Sequence, residues 1–315
     1  MRIRFWGVRG SYPVPGPTTN RYGGNTSCVQ VCPDDGTNLI IDAGTGIRRL
    51  GQELMTGPFG AGAGTVHLLI SHTHWDHIQG IPFFAPLYVK GNRINVYARQ
   101  RDVHLKTIFS SQTEDPYFPI SLDEVAADIN YNALVDGQTF SIGGVQARCA
   151  RLNHPFIAIG YRLDADGGSL AYISDTAPFD RILFGHQFIS RRPDPDAAPS
   201  EKEIAELRAI RDGVVRLCRG CDLVIYDTMF RMKEYLARPH WGHSSPEHAI
   251  DVVREAGARC LALYHHAPDR RDEEVTRDQE QAQRLAYSRG GSGVQVLAAA
   301  EGSVLELGDG VRRVG

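Results

Sequence analysis

Polar and apolar residues alternate from Met1 to Gly7, the period of a strand with one face buried, and Gly7 to Pro17 is then too rich in glycine and proline for regular structure. Residues 28–31 and 39–42 flank Asp34-Asp35-Gly36 as the arms of a hairpin. Ile47, Leu50 and Leu54 recur at helical spacing and predict a helix over 47–55, while the apolar run 65–70 reads as a strand. Beyond it the pattern predicts a short helix and loop over 78–84, a strand over 94–98 and a helix over 102–111. Residues 111–119 form a loop with two aromatics, which either overhangs a site or packs on its own surface. Strand-like runs at 134–140, 145–152, 157–163 and 169–173 are broken by Gly- or Asp-rich turns, and the Pro-, Asp- and Arg-rich stretch 178–200 fits no element. Helix 201–218, strand 223–226, helix 246–256, strand 261–264 and helix 272–288 then alternate as α/β units. Ser245 and Pro246 suit the cap and first position of one of those helices.

Composition narrows the class. With 315 residues, 42% of them hydrophobic, and neither a linker nor an internal repeat, the expectation is one domain over 1–315. The N-terminus lacks the apolar stretch of a signal peptide, and no apolar run approaches the ~20 residues of a membrane span, so a soluble, cytoplasmic protein with no membrane partner is expected. Six scattered cysteines are not a disulfide scaffold, and Cys218-Arg219-Gly220-Cys221, without a second pair, reads as structural. The formal net charge of -3 provides no global basic field for long nucleic acid, so a phosphorylated substrate needs local attraction.

The chemistry concentrates in residues 72–77, His-Thr-His-Trp-Asp-His, directly after the strand 65–70. In extended chain, i and i+2 side chains point the same way, so His72 and His74 can pinch one cation. If a helix starts near Asp76, then Asp76 and His77 swing to the far side and can hold a second. Imidazole with carboxylate suits zinc, manganese or iron. Trp75 reads as loop packing. Asp42, at the end of a strand, is assigned to orienting loop backbone or histidine ligands. The glycines of Asp42-Ala43-Gly44-Thr45-Gly46 serve a tight strand-to-helix turn more readily than a phosphate cradle. His154, Asp175 and the pair His265-His266 each follow an apolar strand. Each alone reads as a cap or turn residue, but together with the cluster they make a complete donor set.

His72-Thr73-His74-Trp75-Asp76-His77 resembles the His-x-His-x-Asp-His signature of the metallo-β-lactamase fold hydrolases. The resemblance implies a four-layer αββα sandwich in the α/β (α+β) class and a two-metal site. Carried over by position, His72, His74 and His154 hold one divalent ion, and Asp76, His77 and His265 the other, with Asp175 bridging. His265 is preferred to His266 because it directly ends its strand. Zinc is the expected metal, with manganese or iron as alternatives.

Residues 20–29, Ile173-Ser174-Asp175-Thr176, Trp241-Gly242-His243-Ser244-Ser245 and Leu263-Tyr264-His265-His266-Ala267-Pro268 resemble the phosphodiesterase branch, which holds ribonuclease Z and cyclic-nucleotide phosphodiesterases. That branch implies His243 at the scissile phosphate, attack by a hydroxide shared between the two ions, and Asp76 orienting it. A homodimer is expected on the same ground. The chain shows no clear arm for transfer RNA, Arg181, Arg191 and Arg192 being mixed with aspartates. A cyclic nucleotide or other small phosphodiester is therefore the expected substrate, with ribonuclease Z-like RNA processing, or lactone or thioester hydrolysis on the same metals, as alternatives.

Overall fold

Two sheets lie face to face with helices on both outer sides in the computed structural model, which describes residues 1–180, 199–289, 293–308 and 310–314. The basic residues Arg181, Arg191 and Arg192 fall outside the described residues. Helices are α1 (Ile47–Leu54), α2 (Trp75–Ile78), α3 (Leu105–Ser110), α4 (Glu201–Cys218), α5 (Met232–Ala237), α6 (Pro246–Glu255) and α7 (Asp272–Ser288).

The first sheet uses β1 (Arg2–Gly7), β2 (Cys28–Cys32), β3 (Leu39–Ile41), β4 (Thr65–Leu69), β5 (Arg93–Arg99) and β6 (Asp128–Leu134), closed at its other edge by β14 (Val304–Gly308) and β15 (Gly310–Arg313). The second runs β7 (Thr139–Ile142), β8 (Val145–Arg151), β9 (Ile159–Ala165), β10 (Gly168–Ile173), β11 (Leu223–Asp227), β12 (Cys260–Tyr264) and β13 (Gln295–Ala298). Successive side chains on a strand face opposite ways. Leu223 and Ile225 of β11 therefore join Phe5, Val31, Tyr161 and Tyr172 between the sheets, while Val224 and Tyr226 pack outward with Val214 and Ile250 of α4 and α6. Ile40, Leu68 and Val96 do the same on the other side, against Ile47 and Leu50 of α1. This is the αββα sandwich that the motif led one to expect.

The run 134–140 is not one strand. β6 ends at Leu134, a turn at Asp136-Gly137 follows, and β7 starts at Thr139, because Gly137 donates its N–H back to the Cys149 carbonyl (3.1 Å). Ser245 holds the cap position of α6, but its hydroxyl pairs with His248 Nδ1 (3.3 Å) and makes no cap hydrogen bond. Trp75, expected to pack in its loop, is 75% exposed at the start of α2. No described helix is long and apolar enough to cross a membrane.

What this topology does for the site follows from strand direction. β3, β4 and β5 run parallel, as do β10, β11 and β12, so the C-terminal ends of each set gather at one edge of the sandwich. Open α/β sheets bind ligands at such edges.

Candidate metal centre

Five strand ends converge there. β3 delivers Asp42, β4 the segment from Ser71 to His77, β8 His154, β10 Asp175 and β12 His265. Three of these residues, Asp42 (φ 60°), Asp175 (φ 41°) and His265 (φ 60°), occupy the left-handed region that L side chains rarely adopt. Such strain persists only where the surroundings fix it, and it accumulates at functional sites. Just beyond β10 and β12 the chain therefore turns sharply and throws Asp175 and His265 into the shared cleft, while Asp42 beyond β3 reaches His77 from behind.

The donors form two clusters. In the first, His72 Nε2 and His154 Nε2 lie 2.9 and 3.1 Å from His74 Nδ1. In the second, Asp76 Oδ2 lies 3.3 Å from His77 Nε2 and 3.1 Å from His265 Nε2. Asp175 faces both. Its Oδ1 is 3.3 and 3.2 Å from His77 and His265 Nε2, and its Oδ2 is 3.5 and 3.7 Å from His72 and His154 Nε2. His266 turns away, its Nε2–H donating to the Ala299 carbonyl (2.9 Å).

The opposite ring nitrogens fix the tautomers. His77 Nδ1–H donates to Asp42 Oδ2 (2.7 Å), and His154 Nδ1–H donates to the Gly242 carbonyl (2.9 Å). Asp42 is itself held by the Ser71 amide and hydroxyl and the Tyr172 hydroxyl (2.7, 2.8 and 2.7 Å). Gly242, at φ 86°, approaches so closely that a Cβ there would stand 2.3 Å from His154 Nδ1. Gly44 fills a similar need on the other side, where a Cβ would meet the Asp76 carbonyl at 2.3 Å, so close packing rather than a phosphate cradle explains that glycine.

Burial lowers the pKa of His72 and His154 well below the ordinary imidazole value, leaving neutral rings with free lone pairs. For Asp175, burial opposes ionisation, but His265 and His77 outweigh it and hold the carboxyl well below its usual range. The side-chain chemistry therefore fits cations. His77 Nε2 is buried, has no hydrogen-bond partner among the described residues and sits beside two carboxylates, which is how a ligand nitrogen is left when its partner is a metal ion.

His243, expected at the scissile phosphate, adjoins the clusters with a partner that the sequence did not single out. Asp227, the last residue of β11, accepts a hydrogen bond from His243 Nδ1–H at 3.0 Å. Burial alone would depress the His243 pKa, but Asp227 more than offsets it and raises the value to about 9. The strand-end logic that picked out Asp175 applies equally to Asp227, which follows Leu223-Val224-Ile225-Tyr226. His243 also stacks on His265, ring centroids 5.1 Å apart.

Fold and site together define a metallo-β-lactamase fold hydrolase, a class that works with divalent metals. Residues 37–191 match the beta-lactamase superfamily domain, and the chain is similar to proteins named ribonuclease Z. It is 26% identical over 289 residues to ribonuclease Z of Haloarcula marismortui, covering 84% of this chain and 86% of that one. Over 228 residues it is 27% identical to ribonuclease Z of Limosilactobacillus fermentum, covering 63% and 68%. Among solved structures, the metallo-beta-lactamase fold protein YhfI of Bacillus subtilis superposes with a TM-score of 0.65 at 17% identity, covering 96% of this chain and 97% of that one. Human tRNase Z, short form, does so with a TM-score of 0.61 at 19% identity, covering 98% and 99%. At those identities the structures speak for the fold.

Proposed function

We propose that this chain is a dinuclear zinc phosphodiesterase acting on RNA, as its ribonuclease Z relatives are named for doing. One observation carries the two-metal reading: the Asp175 carboxylate turns one oxygen to each histidine cluster, the arrangement of a bridging ligand. His72, His74 and His154 would hold one ion, Asp76, His77 and His265 the other. Divalent ions there supply Lewis-acid charge against phosphodiester oxygens. The protein supplies the rest. Asp42 and the Gly242 carbonyl lock the imidazoles in the ligand tautomer, and Asp76, anchored by the Ser11 amide (2.8 Å), is held in place to orient the attacking water. With Nδ1 engaged by Asp227, His243 keeps Nε2 for a proton offered to a substrate oxygen, either stabilising developing charge or protonating the leaving group.

The ribonuclease Z relatives, aligned over most of both chains, support RNA as substrate. The formal charge of -3 favours a second reading, a small cyclic nucleotide, since long RNA rewards a basic surface. The free cysteines among the described residues suit a reducing cytoplasm. Zinc-loaded and manganese-loaded protein should be offered a precursor transfer RNA with a 3′ trailer, a cyclic nucleotide and a lactone reporter. The proposal expects cleavage at the trailer with the highest kcat/KM. A cyclic nucleotide outranking the precursor transfers the assignment to the second reading, and lactone turnover alone rejects both.

A further inference from the structure

A cleft of about 380 Å³ opens beside the metal clusters, lined among others by Ser11, Tyr12, Phe230, Arg238, Trp241 and Ala267. That volume suits one small planar group, since ligand pockets span roughly 300–1,000 Å³. Its walls run straight into the centre. Ser11 donates its amide to Asp76, Ala267 lies two residues beyond His265, and Trp241 immediately precedes the Gly242 carbonyl that holds His154. Phe230 connects the two regions, its ring 5.5 Å from that of His243, edge-on, and 6.3 Å from that of Trp241.

Two large aromatics, Tyr12 (52% exposed) and Trp241 (49% exposed), stand open at this cleft. The Arg238 guanidinium lies over the Trp241 indole, 5.1 Å from its centroid, and forms no ion pair among the described residues. The cleft's other charges are already matched: Arg270 pairs with Glu234 (2.6 Å), Arg231 with Asp278 (2.8 Å), and the Tyr12 hydroxyl reaches Asp269 (3.5 Å). A site of that kind has flat surfaces and one available cation, with little net charge to attract a free anion. Bases stack on aromatic rings and on guanidinium planes alike, and the arginine fork also meets a base carbonyl or a neighbouring phosphate.

We infer that this cleft is the subsite for the nucleobase adjoining the scissile phosphate, with Trp241 and Arg238 as its stacking platform. The inference rests on the phosphodiesterase reading and adds to it a requirement for a nucleoside. Thymidine 5′-(p-nitrophenyl phosphate) and methyl p-nitrophenyl phosphate share a leaving group and differ in the nucleoside, so their kcat/KM ratio on the zinc-loaded protein isolates the subsite. Removing a stacking partner is expected to raise KM for the thymidine ester about five- to a hundredfold in Trp241→Ala, with the ratio falling in step. Arg238→Ala is expected to shift the ratio in the same direction, and Trp241→Phe to restore most of it. If the wild type cleaves the methyl ester without preferring the thymidine ester, or if Trp241→Ala leaves the ratio unchanged, the subsite is overturned while the phosphodiesterase reading stands. A wild type that cleaves neither ester, nor any RNA, overturns both.

Discussion

Asp227 Oδ2 and His243 Nδ1 lie 3.0 Å apart, both side chains buried, at the margin of the metal clusters. This carboxylate fixes the ring and favours its charged form, so the pair acts as one unit. Asp227→Asn should lower kcat on bis(p-nitrophenyl) phosphate about 10²-fold while two metal ions still bind, and His243→Ala should lose at least as much. Because the residues work through each other, the double variant should be little worse than His243→Ala alone. Full activity in His243→Ala with both metals bound would remove the ring from the reaction.

Asp42 supports the second cluster without facing it. It accepts from His77 Nδ1–H while being held by Ser71 and Tyr172, so Asp42→Ala frees the ring and takes the acceptor from two buried hydroxyls. Metal affinity should fall about 10–100-fold, read by chelator competition. Unchanged affinity would assign Asp42 to folding alone.

Gly242 is predicted to tolerate no side chain. Alanine at φ 86° costs about 1–3 kcal/mol in backbone strain, and its Cβ would collide with His154. Gly242→Ala should lower Tm by several degrees and weaken metal binding together. A loss of Tm without any loss of metal would confine the defect to the backbone.

Arg9 ties the N-terminal loop to the segment after β12. Fully buried, it donates to the carbonyls of Gly23 (2.8 Å), Ala267 (3.1 Å) and Arg270 (2.7 Å). Lysine cannot reproduce that planar fork, so Arg9→Lys should cost about 3 kcal/mol or more in denaturant unfolding. A change below 1 kcal/mol would mean that water replaces the missing donors.

How much of this could be read from the chain depends on whether a feature is local. The cluster 72–77 is legible because four donors sit within six positions, and the parallel strands are legible because burial on both faces makes them continuous apolar runs. His154, Asp175 and His265 are weaker, each a single polar residue after a strand, and become a set only through one another. Asp227 escaped that reading although it occupies the same kind of position, because its partner His243 lies 16 residues away in sequence and on no shared element. Arg9 sits in the Gly/Pro-rich stretch that reads as an irregular loop. Its burial arises from contacts about 260 residues distant, which no local pattern encodes. The turn at Asp136-Gly137 is the opposite case, because the Asp-Gly pair is a local turn signal, flanked by Gln138 and Thr139, that a single strand over 134–140 overruns.

On the proposed function, two ions and one shared aspartate make this chain a phosphodiesterase. Metal-free protein should be titrated with zinc, and separately with manganese, while hydrolysis of bis(p-nitrophenyl) phosphate and bound metal are followed together. Activity should rise to a plateau at about two equivalents per chain, and Asp175→Ala should abolish both the second equivalent and turnover. Full activity at one equivalent, or two bound ions with no diester cleavage, would contradict that function.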